Sequence, residues 1–125
     1  MAQILVVDDN HDVGNQLHCM LTIAGHSVHL ASNGKRAIAS FQLVIPEVII
    51  CDLFMPEMQG FDTIAALRWL APKIPIIAIS GSSHLGMPDA LRETLAHGAS
   101  VALARPFDVY TLLNTIETMV DMKAY

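Results

Sequence analysis

The sequence predicts an α/β fold: one parallel sheet with helices on both faces. Five short apolar runs recur along the chain, ILVV (4–7), VHLA (28–31), VIIC (48–51), IIAI (76–79) and VALA (101–104), and segments with helical spacing separate them. Strands that alternate with helices imply parallel pairing through right-handed crossovers. Four of the runs are continuous rather than alternating, as a strand covered on both faces requires.

Each element follows in order. ILVV ends in the pair Asp8-Asp9, and Val13, Leu17, Met20, Leu21 and Ala24 then make a helical stripe closed by Gly25. VHLA carries His29 and is the weakest run, which suits a sheet edge. Asn33-Gly34 reads as a turn before a short stripe of Ala37, Ile38 and Phe41. VIIC places Cys51 among apolar neighbours, as a small buried hydrophobe. Ile64, Leu67, Trp69 and Leu70 belong to a third helix that stops before Pro72. After IIAI, the stretch GSSHLGMPD (81–89) has no apolar stripe and predicts a mobile connection that delays a fourth helix, with Leu91 and Leu95 inside it and Gly98 as its cap. VALA leads into Arg105-Pro106, and Val109, Leu112, Leu113, Ile116, Met119 and Val120 then give the clearest helical stripe.

A chain of 125 residues suits one domain, 1–125. Hydrophobic residues make up 53% and charged residues 15%, so the expected globule has a weakly charged exterior able to dock on a partner. The net charge is −5, and Lys35, Arg36, Arg68, Lys73, Arg92, Arg105 and Lys123 form no cluster. Direct nucleic-acid binding, which needs clustered cations, is not expected. Cys19 and Cys51 are too isolated for a disulfide framework or a zinc site, and the His26/His29 pair lacks a third ligand near it in sequence. No secretory signal is visible and no stretch approaches the roughly 20 apolar residues of a membrane span. The expected location is the cytosol, away from the membrane.

The chemistry gathers at the carboxyl ends of the runs, where such sheets bind ligands. Run 1 ends in Asp8 and Asp9, run 3 in Asp52 and run 4 in Ser80, while run 5 leads into Arg105. Singly, each has a plain reading: Asp9 or Asn10 as a helix cap, Asp52 as a loop acid, Ser80 as a turn residue, Arg105 as a solvated charge. Together they put three carboxylates, a hydroxyl and a cation at one rim. Carboxylates about 4 Å apart repel by about 4 kcal/mol at an effective dielectric near 20. A bound proton or a metal ion must relieve that conflict. Oxygen-only ligands favour Mg²⁺.

From about Ile4 to Val120 the sequence resembles receiver domains of two-component response regulators. ILVVDDN is similar to that family's acidic strand, and VIICDLFMPEMQGFD (48–62) to its phosphoacceptor strand and following loop. ASNG (31–34), PIIAIS (75–80), HGA (97–99) and RPF (105–107) fall at related positions. The resemblance implies a single doubly wound, flavodoxin-like five-stranded sheet of order 2-1-3-4-5. It implies that Asp52 accepts a phosphoryl group from a histidine kinase or phosphotransfer protein, with Ser80 and Arg105 contacting that group. It further implies Mg²⁺ held by Asp9, Asp52 and the backbone carbonyl of Phe54, with Asp8 acting through water. A downstream protein or output domain would read the signal, and the chain would be no enzyme beyond its own phosphorylation and dephosphorylation.

Two residues depart from the family pattern. Arg105 stands where Lys is usual, and Ala102 where an aromatic partner of Ser80 is usual. Weak transmission of the phosphate signal is the expectation, and a pseudo-receiver that only binds proteins is the main alternative. A phosphatase of the haloacid dehalogenase type would need a second Asp where Phe54 stands. A flavodoxin-like cofactor carrier would find phosphate repelled by Asp8 and Asp9.

Overall fold

The computed structural model describes residues 1–53, 59–81, 88–105 and 107–123. Five strands, β1 (Gln3–Val7), β2 (Ser27–Ala31), β3 (Val48–Asp52), β4 (Ile76–Gly81) and β5 (Val101–Arg105), form one parallel sheet in the order β2-β1-β3-β4-β5. Among the described residues, five helices connect and flank them: α1 (His11–Ile23), α2 (Gly34–Ser40), α3 (Gln59–Leu70), α4 (Pro88–Ala96) and α5 (Val109–Lys123). The doubly wound order is the expected one. Two cores lie on opposite faces of the sheet. Leu5, Val7, Ile49, Cys51, Ile76 and Ala78 meet Ile64 and Leu67 of α3 on one side. Ile4, Val6, Ile50, Ile77 and Ile79 meet Leu17, Leu21, Leu112 and Ile116 of α1 and α5 on the other. The period of two along each strand thus supplies both cores from one run.

β2 lies at an edge, with His29 and Leu30 exposed. Gly25 follows the C-cap of α1, and Gly98 follows α4 after His97; their φ values of 99° and 122° suit a residue without Cβ. The fourth helix begins at Pro88, and residues 82–87 of the expected mobile connection lie outside the described residues.

One expectation changes. Asn33-Gly34 is not a free turn but the start of α2: Asn33 Oδ1 accepts the Arg36 N–H at 2.9 Å as the N-cap. Gly34 is needed because a Cβ there would lie 2.6 Å from Thr63 Oγ1, on a buried residue of α3. α3 carries Ile64, Leu67, Trp69 and Leu70 and stops before Pro72, as expected; Ile64 and Leu67 are buried, whereas Trp69 is 86% exposed and Leu70 42%. A clasp holds that end of the helix instead. Arg68 Nη1 donates to the carbonyls of Ala71 (3.1 Å), Pro72 (3.0 Å) and Ile74 (2.7 Å). Its Nε donates to Gly98 O at 2.9 Å, and Nη2 to Ser100 Oγ at 3.2 Å. Burial lowers the Arg68 pKa from its ordinary value, so these bonds offset a real loss of hydration.

Candidate functional site

Parallel pairing carries the ends of β1, β3 and β4 to one rim. The register sets Val7 beside Cys51, Asp52 beside Ile79, and Ser80 beside Ala104. Pairing continues past the strands, since Asp8 N donates to Ala31 O at 3.0 Å and Leu53 N to Ile79 O at 2.9 Å. Asp8 and Asp52 are therefore fixed by backbone on both sides of the sheet's central strands.

The acid cluster forms as expected. One carboxylate oxygen from each of Asp8, Asp9 and Asp52 lies within 4.8 Å of the others. Asp8 and Asp52 are buried, at 6% and 5% exposure, whereas Asp9 is half-buried. At that spacing a fully ionised pair repels by about 3 kcal/mol at an effective dielectric near 20. The donor set fits a hard cation. It offers oxygen alone, and the neighbouring sulfur is withheld: burial, then the Asp52 and Asp8 charges, push the Cys51 thiol far above its usual pKa. Its Sγ–H points to Asp52 O at 3.6 Å.

Asn10 joins the site to α1. Asp8 Oδ1 accepts the Asn10 N–H at 2.8 Å, and Asn10 Oδ1 accepts from Asp12 N (3.0 Å) and Val13 N (3.2 Å) as the N-cap. The sequence left Asp9 or Asn10 as the cap, and the structure assigns it to Asn10. Asp9 is thus left for the acid cluster. A cavity of about 190 Å³ opens beside Asp8, with His11, Ser32 and Arg36 on its wall.

Ser80 is fully buried, and its Oγ has no hydrogen-bond partner among the described residues. A buried hydroxyl left unpaired costs about 1–3 kcal/mol, which an arriving acceptor oxygen would recover. Arg105 closes β5 by pairing with Gly81, but its side chain lies outside the described residues, as does Phe54. The structure therefore brings together Asp8, Asp9 and Asp52 and sets Ser80 at the end of the strand beside Asp52. Ala102 is half-buried against the α3-side core. The Arg68 bonds to Gly98 and Ser100 and the ring contact between Phe61 and His97 had no signal in sequence, because those partners are remote in the chain.

Comparison with known proteins agrees with this geometry. Residues 4–117 match the response regulator receiver domain. Chemotaxis protein CheY4 of Vibrio cholerae superposes with a TM-score of 0.85 at 33% identity, covering 95% of this chain and 98% of that one. NtrX of Brucella abortus, at 22% identity, shares the fold with a TM-score of 0.90 over 98% of this chain and 28% of its own. The transcriptional regulatory protein ZraR of Klebsiella oxytoca is 32% identical over 115 residues, 92% of this chain and 25% of that protein. The chain thus spans about a quarter of the length of such curated regulators. It spans 86% of an uncharacterised 14.6 kDa protein of Leptolyngbya boryana, again at 32% identity.

Proposed function

We propose a phosphoacceptor function for this chain, which belongs to the response regulator receiver domain family and so to two-component signalling. Asp52 is the nucleophile. One of its carboxylate oxygens attacks the phosphorus of a phosphohistidine on a histidine kinase or phosphotransfer protein. A P–O bond forms as the P–N bond breaks, and the electron pair stays on the departing imidazole nitrogen. The observation that carries this reading is the convergence of Asp8, Asp9 and Asp52 within 4.8 Å, a repulsive arrangement without a cation.

Those three carboxylates would hold Mg²⁺, together with the Phe54 carbonyl, which lies outside the described residues. When bound, the ion would neutralise phosphoryl oxygens as a Lewis acid. Ser80 donates its unpaired hydroxyl to the phosphoryl group, and Arg105 supplies a cation toward it. Asp8 holds the Asn10 N–H and so fixes the first turn of α1 against the site. The chain catalyses only its own phosphorylation and dephosphorylation, and signals through a downstream protein or output domain in the cytoplasm. Among the described residues no helix is long and apolar enough to cross a membrane. A protein-binding module that ignores phosphate would have no use for three converged acids beside an unpaired serine.

Acetyl phosphate with Mg²⁺ tests this by intact mass. The wild type gains one phosphoryl group, and Asp52→Asn gains none because an amide is no nucleophile. An unmodified wild type, or an equally modified Asp52→Asn, overturns the assignment.

A further inference from the structure

Ala102 has no ring to follow Ser80 inward, so β5 offers no aromatic side chain to relay a change at Asp52. The same core contains a different candidate. Phe61, in the first turn of α3, packs against the same α3-side core as Ala102, and its ring stacks on His97. The centroids are 4.7 Å apart and the planes 28° apart. His97 directly follows α4. Its backbone N–H donates to Glu93 O at 3.1 Å, and its Nδ1 lies 2.8 Å from the same oxygen. A carbonyl only accepts, so Nδ1 carries the proton, and the ring is held in one orientation.

One residue further on, Gly98 O takes the Arg68 Nε–H. A Cβ at Gly98 would lie 2.8 Å from Arg68 Cβ, so the contact is close as well as bonded. Phe61 and Arg68 are seven residues apart, two turns of α3, and share a face. α3 therefore grips the α4–β5 turn at two points. At the Arg68 end two hydrogen bonds reach this turn, at Gly98 O and Ser100 Oγ, and at the other end Phe61, in the first turn of α3, stacks on His97. Leu53, the residue after Asp52, donates its N–H to Ile79 O at 2.9 Å, so β3 is pinned to β4 up to the acid cluster.

We infer that the Phe61–His97 stack couples Asp52 to the C-terminal end of α4, in place of an aromatic on β5. The inference rests on Asp52 as phosphoacceptor. A close-packed pair of rings does not compress, so a shift of the first turn of α3 either carries His97 along or breaks the stack. A ligand at Asp52 moves this equilibrium by its differential affinity for the two arrangements.

The test is NMR of the full chain with Mg²⁺, with and without beryllofluoride, a phosphoryl mimic. Two sets of signals are read: the amides of Cys51 and Asp52, and the ring resonances of His97. In the wild type both sets shift. In Phe61→Leu the Cys51 and Asp52 amides still shift and the His97 response is lost, while Phe61→Tyr restores it because the ring returns. If Phe61→Leu does not fold, His97→Gln replaces it, read at the Gly98 and Ala99 amides, whose wild-type shifts are then lost. Site amides that shift while His97 stays still in the wild type overturn the coupling alone. An unchanged His97 response in Phe61→Leu does the same. Silence at both sets, with no phosphoryl gain from acetyl phosphate, overturns the phosphoacceptor reading and the coupling with it.

Discussion

Replacing Arg68 by Met removes every donor of one guanidinium and keeps most of its apolar stem. Three of its five contacts, to Ala71 O, Ile74 O and Gly98 O, are partly buried, and those to Pro72 O and Ser100 Oγ are open to water. Hydrogen bonds from a charged donor contribute about 1.5–3 kcal/mol each, so three sheltered ones total about 4.5–9 kcal/mol before any offset. The desolvation that lowers the Arg68 pKa opposes this gain, and the three carbonyls regain part of their hydration when the side chain goes. A net loss of about 2–4 kcal/mol remains. For 125 residues, at about 2.1 cal/mol/K each, that loss lowers Tm by about 8–15 °C. Circular dichroism during heating and urea titration reads it, with an unchanged urea slope showing that the denatured state is the same. Lys73→Met, an exposed neighbour on the same connection, is the control and should move Tm little. If Arg68→Met melts within about 3 °C of the wild type, water replaces the guanidinium and the clasp is decorative.

Three further outcomes follow from other contacts. His26 accepts the Ala2 N–H on Nδ1 at 3.1 Å. Burial, then the amino-terminal charge, lower its pKa below the usual 6.5, against Glu117 and Glu47. The unfolded chain therefore binds the proton more readily, so stability is full above about pH 6.5 and falls as the pH drops toward the folded pKa. Urea midpoints near pH 7.5 and pH 5.5 should differ more in the wild type than in His26→Gln, and equal differences would refute the assignment. Gly34→Ala should cost about 1–3 kcal/mol through its clash with Thr63 Oγ1, and adding Thr63→Ala should recover part of that loss; strictly additive losses would exclude the clash. Asp8→Asn keeps an oxygen for the Asn10 N–H but removes one of three repelling charges. Without Mg²⁺ it should gain about 1–2 kcal/mol in a urea melt, and the stabilisation that Mg²⁺ gives the wild type should shrink; no gain would mean that water already screens the acids.

The sheet was legible because burial on two faces demands unbroken apolar runs, and ILVV and VIIC satisfy it. His29 marked the edge strand because a central strand would have no room for it. Asp8, Asp9 and Asp52 were legible as a cluster once parallel order was granted, since their places at strand ends follow from topology alone. What could not be read depends on distant partners. Asn33-Gly34 looks like a turn until Thr63 is known to sit against Gly34. Trp69 was legible as part of α3 but its exposure was not, since the helical stripe does not tell which of its members face the sheet. Arg68 itself read as one scattered cation, since its acceptors at Gly98 and Ser100 lie 30 and 32 residues away.

The buried state of Cys51 has a practical corollary for anyone who wishes to watch this protein. Electrophiles react with thiolates, and a sulfur whose pKa is driven up inside the sheet stays a thiol and stays out of reach. Cys19 is exposed on α1, so maleimide chemistry on the folded chain should stop at one adduct there. The native sequence thus carries its own single attachment point for a dye or spin label, set on a helix that Asn10 ties to the acid cluster.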